Sequence, residues 1–146
     1  MLPRWHVFWG AVFTAVLWYF ARVDWIYLSL VFLSSVFIDL DHYICGAMRT
    51  RTLHFGQILD YHKKMGKIQK TERDNGIRKR GDFHLFHTIE FHILVASIGL
   101  FWIPFFYIFI GLVFHSLLDL FYLMNKNYVY RREYFFFRWV SKRFEF

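Results

Sequence analysis

The sequence predicts an all-α membrane protein, a four-helix transmembrane bundle with a basic cytoplasmic loop and an interfacial C-terminal helix. Three observations carry that prediction. Of the 146 residues, 57% are apolar and 24% aromatic, with 20 phenylalanines. A soluble domain of this size has too little interior to hide so much aromatic surface. The charges are also segregated, with long stretches almost free of them, as a bilayer demands. Finally, four segments approach the roughly 20 apolar residues that a helix needs to cross the hydrocarbon core.

The first segment runs from about Trp5 to Ala21, and the Phe20, Arg22 and Val23 that close it offer no small-residue cleavage site for a signal peptide. The second runs from about Trp25 to Cys45 and is interrupted late by Asp39, Asp41 and His42. The third covers about Phe83 to Ile103, with Pro104 marking the turn into the fourth, about Phe105 to Met124. Three residues, Arg22, Val23 and Asp24, join the first pair, and little more than Pro104 joins the last pair. Between them lies a long polar loop, about Arg49 to Asp82, and a basic tail follows from Asn125 to Phe146. The excess of Lys and Arg in loop and tail puts both, with the N-terminus, on the cytoplasmic side. The expected location is therefore the inner membrane, with one multi-pass domain over 1–146. Tyr134, Phe135, Phe136, Phe137 and Trp139 among tail arginines suggest a helix lying in the membrane surface.

The net charge of +7 sits beside apolar spans. Membrane lipids with anionic headgroups are thus the expected partners, and nucleic acid is not. A chain this small leaves homo-oligomerisation open. The single cysteine, Cys45, excludes a disulfide framework and a cysteine-rich zinc site. It is read as an inert thiol.

Ionisable residues inside a membrane are costly and usually functional, and the topology brings them to one face. Asp39, Asp41 and His42 close the second span, His84, His87, Glu90 and His92 open the third, His115 and Asp119 lie late in the fourth, and His6 opens the first. His115 and Asp119, four apart, share a helix face. His84, His87 and Glu90 form a stripe at spacings of three. A regular helix would point Asp41 away from Asp39 and His42, so unwinding is expected there. His92 falls off the stripe, and His84 and His92 stand open between ligand and packing roles. His54 and His62 are expected to be solvated in the loop, and Asp60 to be solvated or held in a loop salt bridge. Imidazole and carboxylate without thiolate suit a divalent ion, with zinc preferred and manganese or iron possible. The donors outnumber one ion's needs, so one to three ions bridged by Asp are expected.

Three motifs resemble a known family. Asp39-Leu-Asp41-His42, His87-Thr-Ile-Glu90 and Gly111-Leu-Val-Phe-His115-Ser-Leu-Leu-Asp119, with His6 early in the first helix, are similar to the membrane-bound metal-dependent hydrolases, the LexA-regulated inner-membrane hydrolases related to zinc-dependent phospholipase C. The likeness runs from His6 to Asp119. It implies that Asp39, Asp41, His42, His87, His115 and Asp119 are ligands or close partners. The family's His-Arg-Gly-x-Thr-His pattern is replaced here by Asp82-Phe-His84-Leu-Phe-His87, which leaves open which histidine of the third helix binds metal.

The resulting expectation is a hydrolase acting on a phosphoester or phospholipid-like substrate at the cytoplasmic face, with the basic loop gathering its anionic phosphate. Its metal set is His6, Asp39, Asp41, His42, His84, His87, Glu90, His115 and Asp119. Glu90 is expected to be general base or bridging ligand, and Asp41 is counted with it among the catalytic groups. Two alternatives stand beside it. One is a non-enzymatic membrane metal-binding or assembly protein. The other is a di-iron lipid-modifying enzyme, disfavoured because the chain has no paired His-His box.

Overall fold

A computed structural model describes residues 3–144. Met1, Leu2, Glu145 and Phe146, which the predicted domain and tail include, lie outside the described residues. The described chain is all-helical and contains no strand. Helices α1 (Pro3–Ala21), α2 (Trp25–Phe37), α3 (Leu40–Thr50), α4 (Phe55–Asp74), α5 (Ile89–Gly99), α6 (Ile103–Asn125) and α7 (Phe136–Phe144) follow in order, with 3-10 turns at Leu85–His87 and Val129–Arg131.

Asp24 starts α2 by accepting a hydrogen bond from the Ile26 amide, which satisfies an otherwise orphaned donor. α2 then packs between α1 and α6 through small residues. A methyl group added at Gly111 would lie 2.0 Å from Ser34 Oγ and 2.4 Å from the Val31 carbonyl oxygen, and one at Gly10 would lie 2.7 Å from Ser35 Oγ. Close backbone approach of this kind is how helices associate where the hydrophobic effect between them is weak. Ser34 and Ser35 return their hydroxyls to carbonyls of their own helix. Val31 is fully buried at this contact. A cluster of Ile38, Val95 and Leu112, flanked by Phe86, Phe91 and Phe105, completes the core between α2, α5 and α6.

Two helical stretches are long and apolar enough to cross a membrane: residues 25–50, covering α2 and α3, and α6. α5 is apolar but has 11 residues. α1 has 19 residues, yet Arg4, His6 and its tryptophans lower its hydropathy.

One expectation is met and two need correction. The unwinding expected in the second span is a turn at Ile38 and Asp39 that separates α2 from α3. The third helix begins at Ile89 rather than near Phe83. Thr88 caps it, its hydroxyl oxygen accepting from the Phe91 amide at 3.3 Å, and residues 84–88 form a 3-10 turn and its flanks instead. Much of the long loop is the 20-residue helix α4. Its inner side carries Ile58, Tyr61 and Met65 at helical spacing; Ile58 is buried and the other two are half-buried.

Candidate metal centre

The break after α2 builds the centre. The last carbonyls of a helix lack intrahelical partners, and the Ser35 carbonyl, two residues from the end of α2, accepts the His115 Nδ1 proton at 2.7 Å. That bond fixes the His115 tautomer and leaves the Nε2 lone pair facing inward. His87 is set the same way. Asp41 Oδ2 accepts from His87 Nδ1 at 3.0 Å and from the Phe86 amide at 3.1 Å. The two Nε2 atoms then face each other at 3.3 Å, deep in the protein, since His87 and His115 are both buried.

Carboxylates close the space around them. Asp39 Oδ1 lies 3.3 Å from His115 Nε2 and 3.6 Å from His87 Nε2. Asp119 Oδ2 lies 3.7 Å and 3.9 Å from the same atoms. All four donors fall within 4.8 Å of one another. A tetrahedral zinc-type ion with ligands at about 2.0–2.1 Å spaces its donor pairs about 3.3–3.4 Å apart. The five edges that involve a histidine nitrogen begin at that value and exceed it by at most about half an ångström, and the carboxylate–carboxylate edge stays within 4.8 Å. Two carboxylates and two lone pairs gathered in a buried space repel one another unless a cation lies between them. This buried group could therefore hold a metal ion. The second atoms of both histidines are anchored by a carboxylate and a carbonyl, the usual outer support of metal-bound imidazole.

The other carboxylate oxygens face His6. Its ring stacks on His115 at 3.9 Å. Its Nε2 is 3.2 Å from Asp119 Oδ1 and 4.0 Å from Asp39 Oδ2. Both ring nitrogens of His6 are buried without a hydrogen-bond partner among the described residues. On the opposite side, Asp41, His42 and His84 form a second group of close donors. Asp41 Oδ1 stands 3.7 Å from His84 Nδ1, and neither atom has a hydrogen-bond partner. His42 Nε2 is 3.6 Å from Asp39 Oδ1. Asp39 thus borders all three donor groups. At 23% exposure it is also the open edge of an otherwise buried centre.

Eight of the nine sequence-predicted metal residues therefore meet: His6, Asp39, Asp41, His42, His84, His87, His115 and Asp119. Glu90 does not. One turn into α5 it faces away, and its carboxylate accepts the Phe136 and Phe137 amides at 2.9 and 3.3 Å, capping the N-terminus of α7. A general-base or ligand role for Glu90 is corrected accordingly. Asp41 is held by two donors on one oxygen, which suits orientation of His87 more than proton transfer. His92 is satisfied by the Thr88 carbonyl and Ser116, so it packs. His62 is not solvated as expected. It lies against Gly46 and hydrogen-bonds the His42 carbonyl at 3.1 Å.

Sequence reasoning missed Arg132. Its guanidinium reaches Asp119 Oδ2 at 2.7 Å, although it belongs to a tail read only as basic. Several of the remaining tail and loop charges are spent on each other. Arg49 meets Asp82 at 2.7 Å, Arg131 meets Glu72 at 2.8 Å, and Glu133 pairs with both Arg80 and Arg138. No protein-family model matches the chain, and neither curated proteins nor solved structures show a match.

Proposed function

We propose that this chain is a multi-pass membrane hydrolase that uses divalent metal to cleave a phosphoester or phospholipid-like substrate at the cytoplasmic membrane face. The observation that carries the reading is the convergence of His87, His115, Asp39 and Asp119 at tetrahedral spacing beneath one partly exposed carboxylate edge. Zinc is the preferred ion, and the flanking His6 and His42–His84 groups allow up to three. A divalent ion there supplies Lewis-acid chemistry, polarising a phosphoryl oxygen and acidifying water near neutral pH. The chain's own part is to orient the donors through Ser35 and Asp41 and to exclude bulk water by burial of His6, His87 and His115. Asp39, half-buried and bordering every donor group, is the residue best placed to meet substrate.

Membrane embedding is supported by what the far end exposes. Phe20, Trp25, Leu100 and Phe101 are 78%, 72%, 82% and 92% exposed. They sit at the α1–α2 and α5–α6 turns, the ends of those helices opposite the His and Asp cluster. Such a contiguous apolar end requires a non-aqueous surrounding. α1 and α5 would complete the four-helix bundle in the bilayer, with α4 and α7 at the cytoplasmic surface. The three motifs shared with the metal-dependent hydrolases agree with this reading.

Elemental analysis of detergent-purified protein tests it. Zinc or a similar ion is expected in the wild type and not in His115→Ala or Asp119→Ala. Metal-free wild type from a chelator-free preparation overturns it. A second reading, a structural metal site in a non-enzymatic protein, is favoured by the full set of four protein donors, since catalytic sites keep a position open. Metal that resists exchange, with no turnover across generic phosphoesters, selects the second reading.

A further inference from the structure

The segment after α6 runs back across the mouth of the centre. After the 3-10 turn Val129–Arg131 the chain is extended at Arg132, and residues 132–135 are non-helical. Extended chain sends successive side chains to opposite faces. Arg131 and Glu133 turn toward the ion pairs with Glu72, Arg80 and Arg138. Arg132 and Tyr134 turn the other way, toward Asp119.

Each is incompletely used there. Arg132 is 12% exposed on its side chain and spends one nitrogen, Nη2, on Asp119 Oδ2. A guanidinium carries five N–H donors in a planar fork, and no other side-chain hydrogen bond of Arg132 is seen among the described residues. The Tyr134 hydroxyl is buried with no hydrogen-bond partner, within electrostatic reach of Arg132 and Asp119. Its backbone is anchored, the carbonyl accepting from the Ile89 amide at 2.9 Å. A buried hydroxyl without a partner in a native site calls for one that binds later.

We propose that Arg132 and Tyr134 form the oxyanion receptor of the metal centre, binding a tetrahedral phosphate-type group beside the cluster. The inference rests on the metal reading above and adds the residues that recognise the substrate. The planar fork of an arginine matches two phosphate oxygens at once. The Tyr134 hydroxyl donates to a third. Asp119, shared by the ion's donor set and Arg132, couples the two halves of the site. When a cation draws on Asp119 Oδ2, Arg132 turns its charge to the incoming anion. The basic loop, whose arginines are largely paired with loop and tail carboxylates, is then not the phosphate reader.

Calorimetric titration of the metal-loaded, detergent-solubilised full chain tests this, with inorganic phosphate as the first probe. Phosphatidic acid in phosphatidylcholine nanodiscs is the second. Metal content and thermal midpoint are recorded for every variant. Phosphate affinity is expected to fall at least tenfold in Arg132→Gln and several-fold in Tyr134→Phe, each with full metal content, and to be partly kept in Arg132→Lys. Unchanged affinity in Arg132→Gln and Tyr134→Phe overturns the proposal. So does loss of metal from Arg132→Gln with unaltered phosphate binding in Tyr134→Phe, because Arg132 would then only hold Asp119. Wild type that binds neither probe while loaded with metal overturns it without touching the metal reading, whereas wild type without metal overturns both. Competition between phosphatidic acid and phosphate identifies a lipid headgroup as the source, and binding of phosphate alone identifies a soluble ester. Either result supports the receptor.

Discussion

Two ion-rich regions sit side by side at one end of the molecule and are built on opposite principles. In the loop-and-tail region, cations and carboxylates are matched. Arg131 joins Glu72, which also meets Lys79 at 3.3 Å, and Glu133 is gripped by Arg80 and Arg138. Arg131 also lies over the rings of Tyr128 and Tyr130. In the His and Asp cluster the balance fails. Three aspartates and five histidines crowd together with Arg132 as the one guanidinium seen against them, and His6, Asp41 and His84 keep buried polar atoms without hydrogen-bond partners. Buried polar groups are nearly always satisfied. The matched region ties tail to loop, although Arg131 Nε there is also buried without a hydrogen-bond partner. The unmatched region could hold a cation brought from outside.

The sharpest way to break this contrast is to remove a donor. His115→Ala and Asp119→Ala should strip the metal, read by elemental analysis, while the fold survives. Retention of stoichiometric metal in both would show that the cluster is not a metal centre. Asp41→Asn alters the support of His87 and the group that faces His84, and should weaken metal binding by about 10–100-fold, measured by competition with a chromophoric chelator. Packing beneath the cluster comes next. Gly111→Ala forces a methyl against the Val31 carbonyl and should destabilise the bundle by about 1–3 kcal/mol, seen as a lower midpoint in detergent. In the matched region, Arg131→Ala should lower the thermal midpoint by a few degrees and leave metal content unchanged. Joint loss of metal would merge the two regions into one.

The smallest effects are those of pH at Tyr61 and Asp82, which hydrogen-bond at 3.1 Å. Burial and the neighbouring Asp82 push the Tyr61 phenol up to about 12. The unfolded phenol ionises near 10, so this contribution is present below about pH 10 and drains away as pH climbs toward 12. Burial alone would raise Asp82, but hydrogen bonds from Arg49 and Tyr61 outweigh it and hold the carboxyl below its ordinary value. Its contribution is present above the ordinary carboxylate range and fades as pH falls through the lower folded value. Tyr61→Phe should flatten the alkaline limb of a midpoint-versus-pH curve, and Asp82→Asn the acidic limb. Unchanged limbs would remove this pair from the stability of the loop.

Much of the cluster was legible because it needs only helix ends and spacing. Asp39, His42, His115 and Asp119 sit where a four-span topology sends them, and the unwinding inferred from the position of Asp41 is the turn at Ile38 and Asp39. Glu90 was misplaced because one stripe was drawn through His84, His87 and Glu90 as if a single helix held them. Thr88, a good capping residue two positions before Glu90, was the overlooked signal for a later start. α4 was hidden by its charge, although Ile58, Tyr61, Met65 and Ile68 keep helical spacing. Arg132 and Tyr134 had no local signal at all, since an extended segment folding back on a centre is a tertiary event. α1 and α5 fall short of the two helical stretches that are long and apolar enough to cross a membrane.

The donors are drawn from nearly the whole length of the chain, from His6 at the beginning to Asp119 near the end of α6. A ribosome releases these residues one segment at a time, so a nascent protein that has delivered α1 to α5 still lacks half of the central quartet. The central quartet therefore cannot close before α6 has emerged, and its closure marks the point at which α1 to α6 have come together.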